Sequence, residues 1–218
     1  MIRGIDISHN NGAVDIAGLP ADIAFVSLKA SQADAYQDPM FQQFYHDLKN
    51  DRPEIVRIPY HFFDPRIGGA AQAQNLLSRG VNFTEPGTGP LMLDVEGDDG
   101  GPMDIWTAAN LPQAIQNVND FKTYIWGSAQ YGRNDLIIYS FDHYIKGVLQ
   151  GQTWPDCIFW VASYQATPPP VIPGWAYQFW QYSETGQLDG TTTGGSFDLD
   201  QYLGTQDAFN ALANNPPA

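Results

Sequence analysis

Gln165-Ala166-Thr167-Pro168-Pro169-Pro170-Val171-Ile172-Pro173-Gly174 holds four prolines in ten residues. An interior proline removes a backbone donor and clashes with the preceding turn, so no helix crosses this segment. Yet it joins two runs, residues 157–163 and 176–182, whose β-branched and aromatic content reads as strand. Strand here passes to strand without a helix between them. Upstream the grammar is different. Apolar runs at residues 2–8, 24–30, 55–63, 90–96 and 136–140 also read as strands, several apolar at nearly every position, as in strands covered on both faces. A weaker eighth run covers residues 196–199.

Helical patterns separate the earlier runs. Residues 39–50 carry Phe41, Phe44, Tyr45 and Leu48 at three-to-four spacing, and residues 70–82 are rich in Ala, Gln and Leu. Residues 111–131 set Leu111, Ile115, Val118, Phe121 and Ile125 on one stripe, with Asn110 as the expected N-cap and Pro112 in the first turn. Residues 142–150 suit a short helix. Strand and helix in alternation imply parallel strands with right-handed crossovers. Eight strands in 218 residues then suit an α/β, TIM-like barrel whose last third lacks helical cover. An open doubly wound sheet competes, but Gly4 and Gly12 do not make its Gly-rich phosphate turn. One barrel domain is expected over residues 1–210, with residues 211–218 as a short tail.

Composition narrows the function. The hydrophobic fraction is 43%, enough for a large core, and 24 acids against 10 bases give a formal charge of −14. That balance opposes a phosphate backbone and an anionic membrane, so neither nucleic acid nor membrane is expected as a partner. Cys157 has no second cysteine to pair with or to help hold zinc, and is read as a small apolar residue inside a strand. No run of about 18 apolar residues is present, and no basic segment followed by an apolar core opens the chain. No cofactor and no metal is expected.

The polar residues are informative through their position. Asp6, His61, Asp94 with Glu96, Ser140 and Asp198 each fall at the end of an expected strand. Carboxyl ends of parallel barrel strands share one rim, where barrel enzymes keep their chemistry. In Asp94-Val95-Glu96 the two acids are two residues apart, so they point to one face, roughly 6.5–7 Å apart along a strand. Following the apolar Leu91-Met92-Leu93, they sit where burial and a like charge raise at least one pKa, as a general acid needs. A hard-cation site is the rival chemistry, with Asp98-Asp99 just downstream. Strand aromatics add a surface for sugar rings; Tyr60, Tyr139 and Trp180 are the expected contacts, and Trp160 is a further one.

Gly4-Ile5-Asp6-Ile7-Ser8, Phe25-Val26 through Lys29-Ala30, Tyr60-His61-Phe62, Leu93-Asp94-Val95-Glu96, Ile138-Tyr139-Ser140, Phe179-Trp180-Gln181-Tyr182-Ser183 and Phe197-Asp198-Leu199-Asp200 resemble, in order, the motifs of glycoside hydrolase family 25. The resemblance covers about residues 2–203. It implies an irregular TIM-like barrel of five β/α units followed by three strands. It implies a lysozyme cutting the β-1,4 bond from N-acetylmuramic acid to N-acetylglucosamine in peptidoglycan with retention. Glu96 matches the proton donor, and Asp94 the carboxylate that supports the substrate's acetamido group. A covalent carboxylate nucleophile is the older alternative. Asp6 and Asp198 match the two remaining acids, while Tyr60, His61, Tyr139, Trp160, Trp180 and Gln181 are expected to bind substrate. A monomer acting outside the cell or delivered to the bacterial wall is expected. Two segments depart from the family: Lys29-Ala30-Ser31-Gln32-Ala33 lacks a carboxylate common there, and His9-Asn10-Asn11-Gly12 replaces a shorter ending. Both are expected to line the cleft. A barrel that binds glycan without cutting it, and a hydrolase of another N-acetylated glycan such as chitin, are the other readings.

Overall fold

The computed structural model describes residues 2–97, 105–107, 109–188 and 196–214. Eight strands close a mixed barrel: β1 (Ile2–Ile7), β2 (Ile23–Gln32), β4 (Val56–Phe62), β5 (Met92–Asp94), β6 (Ile137–Phe141), β7 (Ile158–Ala162), β8 (Phe179–Gly186) and β9 (Phe197–Tyr202). The two-residue β3 (Tyr36–Gln37) folds back on the end of β2. β1 through β8 of the barrel run parallel, and β9 lies antiparallel to both β8 and β1, closing the ring. All eight strands expected from the sequence are present, with ends shifted by a few residues.

Helices α1 (Phe41–Asp51), α2 (Gly69–Leu77), α3 (Leu111–Gly127) and α4 (Asp142–Lys146) fill the crossovers up to β7. The first unit carries only the 3-10 turn His9–Asn11. Among the described residues no helix stands between β7, β8 and β9. Five units followed by three strands is therefore the observed plan. Three helices end earlier than their patterns suggest. α2 stops before Gly80, whose φ of 73° turns the chain, and α4 stops at Gly147. Asn110 stands at the N-cap position of α3, as expected, but with helical dihedrals and no capping bond from its side chain. The reciprocal cap sits three residues earlier: Asn110 N–H donates to Thr107 Oγ1, and Thr107 N–H donates to Asn110 Oδ1.

A fifth helix, α5 (Gln206–Asn214), crosses residue 210, where the tail was expected to begin. It plugs the bottom of the barrel. Phe209 is buried with its ring 5.8 Å from Phe25 and 5.4 Å from Tyr202. Buried Arg133, paired with Asp135, donates to the carbonyls of Thr88 and Leu212 and so ties α5 to the barrel wall. Above the plug the interior is aromatic: Trp160 stacks on Phe179 at 4.7 Å, and Phe25 meets both edge-on. Gly4 is required there, because a Cβ would stand 2.2 Å from the Phe25 ring. Cys157 precedes β7 and is half-buried, so it lies beside the strand rather than within it.

Candidate active site

A cleft of about 480 Å³ opens at the rim where the parallel strands end. Its walls follow from strand alternation, which sends every second residue into the barrel. β1 sends in Asp6, β2 Lys29, β4 Tyr60, β5 Met92 and Asp94, β6 Tyr139 and β8 Gln181; Glu96, Tyr164 and Glu184 stand higher up. Asp198 reaches the same rim by another route. It lies near the start of β9, which runs antiparallel, so the beginning of that strand is level with the ends of the others. Asp6 and Asp198 face each other across the β1–β9 pair.

The strand end bearing Asp94 and Glu96 is pinned on both sides. Phe63 N–H donates to Asp94 O and Val95 N–H to Tyr139 O, both at 2.9 Å, and the Trp106 indole donates to Glu96 O at 2.8 Å. Across the cleft Gln181 Nε2 donates to Asp6 Oδ2 at 2.6 Å, while Gln181 Oε1 accepts from Tyr139 at 2.9 Å and Tyr164 at 3.0 Å. Gln181 thereby links an acid to two phenols. Burial, together with the negative charge of Glu96 and Asp94, pushes the Tyr139 hydroxyl well above its usual range, so it remains a donor. Tyr60 behaves alike, through burial and then Asp6. Burial and the neighbouring Asp200 push Asp6 up to about 8, against opposing hydrogen bonds from Asp198 and Gln181.

Three residues expected at the substrate are turned elsewhere. His61 follows Tyr60 and therefore points outward, under α2 and α3. Its ring meets Ser31 Oγ at 2.8 Å, Gln72 Oε1 at 3.2 Å and the Phe121 ring at 5.3 Å. Trp180, adjacent to Gln181, is likewise outside the barrel, with its indole donating to Ser163 O at 2.9 Å. Trp160 points inward but one layer too low, fully buried in the aromatic interior. Ser140 is also outward and fully buried. Asp98 and Asp99 lie outside the described residues. Among those described, no group of three metal-ligating side chains gathers.

Both departing segments meet the cleft. Asn10 and Asn11 line it, and Asn11 also closes a capping box with Ser8 and donates to Ser196 O at 3.0 Å, holding the rim near β9. Lys29 is the one cation among the described lining residues, its amine 4.7 Å from the Phe62 ring centre. Glu184, Phe62, Phe141 and Ser196 line the cleft without having been singled out as sites from the sequence.

A family profile described as glycosyl hydrolases family 25 matches residues 5–191. The chain belongs to glycoside hydrolase family 25. Lysozyme M1 of Streptomyces globisporus is 31% identical to it over 98% of this chain and 72% of that protein. The N,O-diacetylmuramidase of Chalaropsis sp. is 28% identical over 94% of this chain and 99% of its own length. Among solved structures, the bacterial lysozyme from Streptomyces coelicolor superposes with a TM-score of 0.83 at 30% identity, covering 98% of this chain and 97% of that one. A family 25 lysozyme from Aspergillus fumigatus gives 0.80 at 25% identity, covering 97% of this chain and 98% of that one. This family 25 member is thus a glycoside hydrolase of the lysozyme type, on a barrel shared with those relatives.

Proposed function

We propose that the chain cleaves the β-1,4 bond between N-acetylmuramic acid and N-acetylglucosamine in bacterial peptidoglycan, with retention, by substrate assistance. Glu96 gives its proton to the leaving oxygen as the bond from the anomeric carbon breaks. The carbonyl oxygen of the substrate's own acetamido group forms the new bond to that carbon, and Asp94 accepts the acetamide N–H and balances the positive charge on the ring that forms. Water then attacks the same carbon, Glu96 takes its proton, and the acetamide reopens.

The observation that carries this reading is the contrast between the two walls. Asp94 and Glu96 leave one strand end into the cleft. Opposite them Asp6 keeps its proton up to about pH 8. A protonated carboxyl is a poor nucleophile, so Asp6 is unsuited to covalent attack. Tyr60 and Tyr139 supply faces and hydroxyls for the sugar, Gln181 orients Asp6, and Asp198 completes that wall. Substrate reaches the site at the bacterial wall.

The test is the first product anomer, followed by NMR on a defined peptidoglycan oligomer. Initial release of the β-anomer, together with severe loss of rate in Asp94→Asn, supports the reading. Initial release of the α-anomer contradicts it, and a trapped glycosyl–enzyme ester would replace substrate assistance with a covalent nucleophile.

A further inference from the structure

The strand order fixes a direction across the barrel mouth. Around the closed ring the strands follow as β1, β2, β4, β5, β6, β7, β8 and β9, so β5 stands opposite β9, and β2 opposite β7. The first diameter joins the two acid walls, with Asp94 and Glu96 on one side and Asp198, beside Asp6, on the other. The second diameter runs between those walls. Each of its ends carries a tyrosine that is 38% exposed. Tyr164 follows the end of β7 and lines the cleft. Tyr36 lies on β3, paired with Gln32 at the end of β2, and its ring centre is 6.0 Å from the amine of cleft-lining Lys29.

We propose that the glycan strand crosses the mouth along the β2–β7 diameter, between the acid walls, with Tyr36 and Tyr164 as platforms for the sugars that flank the cleaved pair. The inference rests on the functional reading above for the identity of that strand. Both rings are exposed yet held. The Tyr164 hydroxyl donates to Gln181 Oε1 at 3.0 Å, and its ring meets the Phe141 ring edge-on at 4.9 Å. The Tyr36 hydroxyl is 3.1 Å from His9 Nδ1, and Tyr36 O accepts from Asn75 Nδ2 at 3.0 Å. Buried Asp38 fixes His9 in turn, lying 2.8 Å from Nδ1 and accepting from the His9 N–H at 3.1 Å. A tyrosine face suits the C–H face of a sugar ring, and a ring already fixed loses little freedom when a ligand lies on it.

The experiment digests a peptidoglycan octasaccharide, labelled at its reducing end, with wild type, Tyr36→Ala and Tyr164→Ala, and locates the cuts by mass spectrometry. Losing one platform frees the strand to slide away from that end, so the two variants are expected to move the cut in opposite directions. The ratio of kcat/KM on the octasaccharide to that on a tetrasaccharide should fall about three- to tenfold in each, the scale of one lost aromatic contact. A general loss of rate with the cuts unmoved, or both variants moving them the same way, overturns the proposal. In parallel, contacts between the octasaccharide and the ring protons of both tyrosines are sought by NMR in the full chain carrying Glu96→Gln. Should an alanine variant not fold, this measurement decides: no contact at either ring overturns the proposal. Contact at both rings in a protein whose wild type cuts no wall would instead defeat the functional reading and leave the path standing.

Discussion

Asp6 and Asp198 stand directly opposite each other on the antiparallel pair that closes the barrel. The closing seam of the fold is therefore also one wall of the cleft. Two carboxyls meet there because β9 reverses direction and brings its first residues to the rim. Burial, then the charges of Asp200 and Glu96, push Asp6 up to about 8, while its hydrogen bond with Asp198 works the other way.

That raised value makes Asp6 a liability for the fold. An unfolded aspartate ionises near 3.8, whereas folded Asp6 holds its proton to about 8. Between those values the native state binds the extra proton, so stability falls as pH rises. Asp6→Asn is expected to melt above wild type at pH 8, with the gap closing toward pH 4, while hydrolysis drops. Thermal melts across that range check it; a variant less stable than wild type at pH 8 would count against it.

His61 acts in the opposite direction. Burial, helped by the charge of Lys29 and opposed by the Gln72 hydrogen bond, lowers it to about 4 from the usual 6.5. Here the unfolded state binds the extra proton between those values, so stability is lost as pH falls through the window. The slope is about 1.4 kcal/mol per pH unit. His61→Gln should flatten the acid side of the stability curve and leave KM for glycan unchanged, since the ring faces the helices. A raised KM with unchanged acid sensitivity would return His61 to the substrate.

Much of this was legible in the sequence and some was not, for a physical reason. The proline segment 165–174 announces the missing helix, and the acids at strand ends mark the rim. Which neighbour faces inward could not be read in the same way. β4 is buried at every position, because barrel interior cover one face and helices the other. Without an apolar–polar alternation, Tyr60 and His61 are indistinguishable, as are Gln181 and Trp180. α5 was open to detection: Phe209, Leu212 and Ala213 keep helical spacing, and Thr205 caps with Oγ1 accepting from Ala208 N–H at 3.2 Å.

Gln181 binds Asp6, Tyr139 and Tyr164 at once. Gln181→Leu should fold, but kcat should fall by about tenfold to a hundredfold, the scale of one to two lost hydrogen bonds at 1.4 kcal/mol per tenfold. Steady-state kinetics on soluble glycan, with a melt as control, check it; unchanged kcat would remove Gln181 from the site.

The formal charge of −14 sets the enzyme against a largely anionic wall. Hydrolysis of whole cells should therefore rise with moderate salt as repulsion is screened, while short neutral oligomers show little change. A steady decline with added salt on whole cells would contradict this.

Whether Glu96 is the proton donor of a muramidase is decided by reducing-end release from purified peptidoglycan by wild type and Glu96→Gln, with the new terminal sugar identified. Muramic acid ends are expected from wild type, with near-complete loss in a folded Glu96→Gln. Glucosamine ends, or release persisting in the variant, would contradict it.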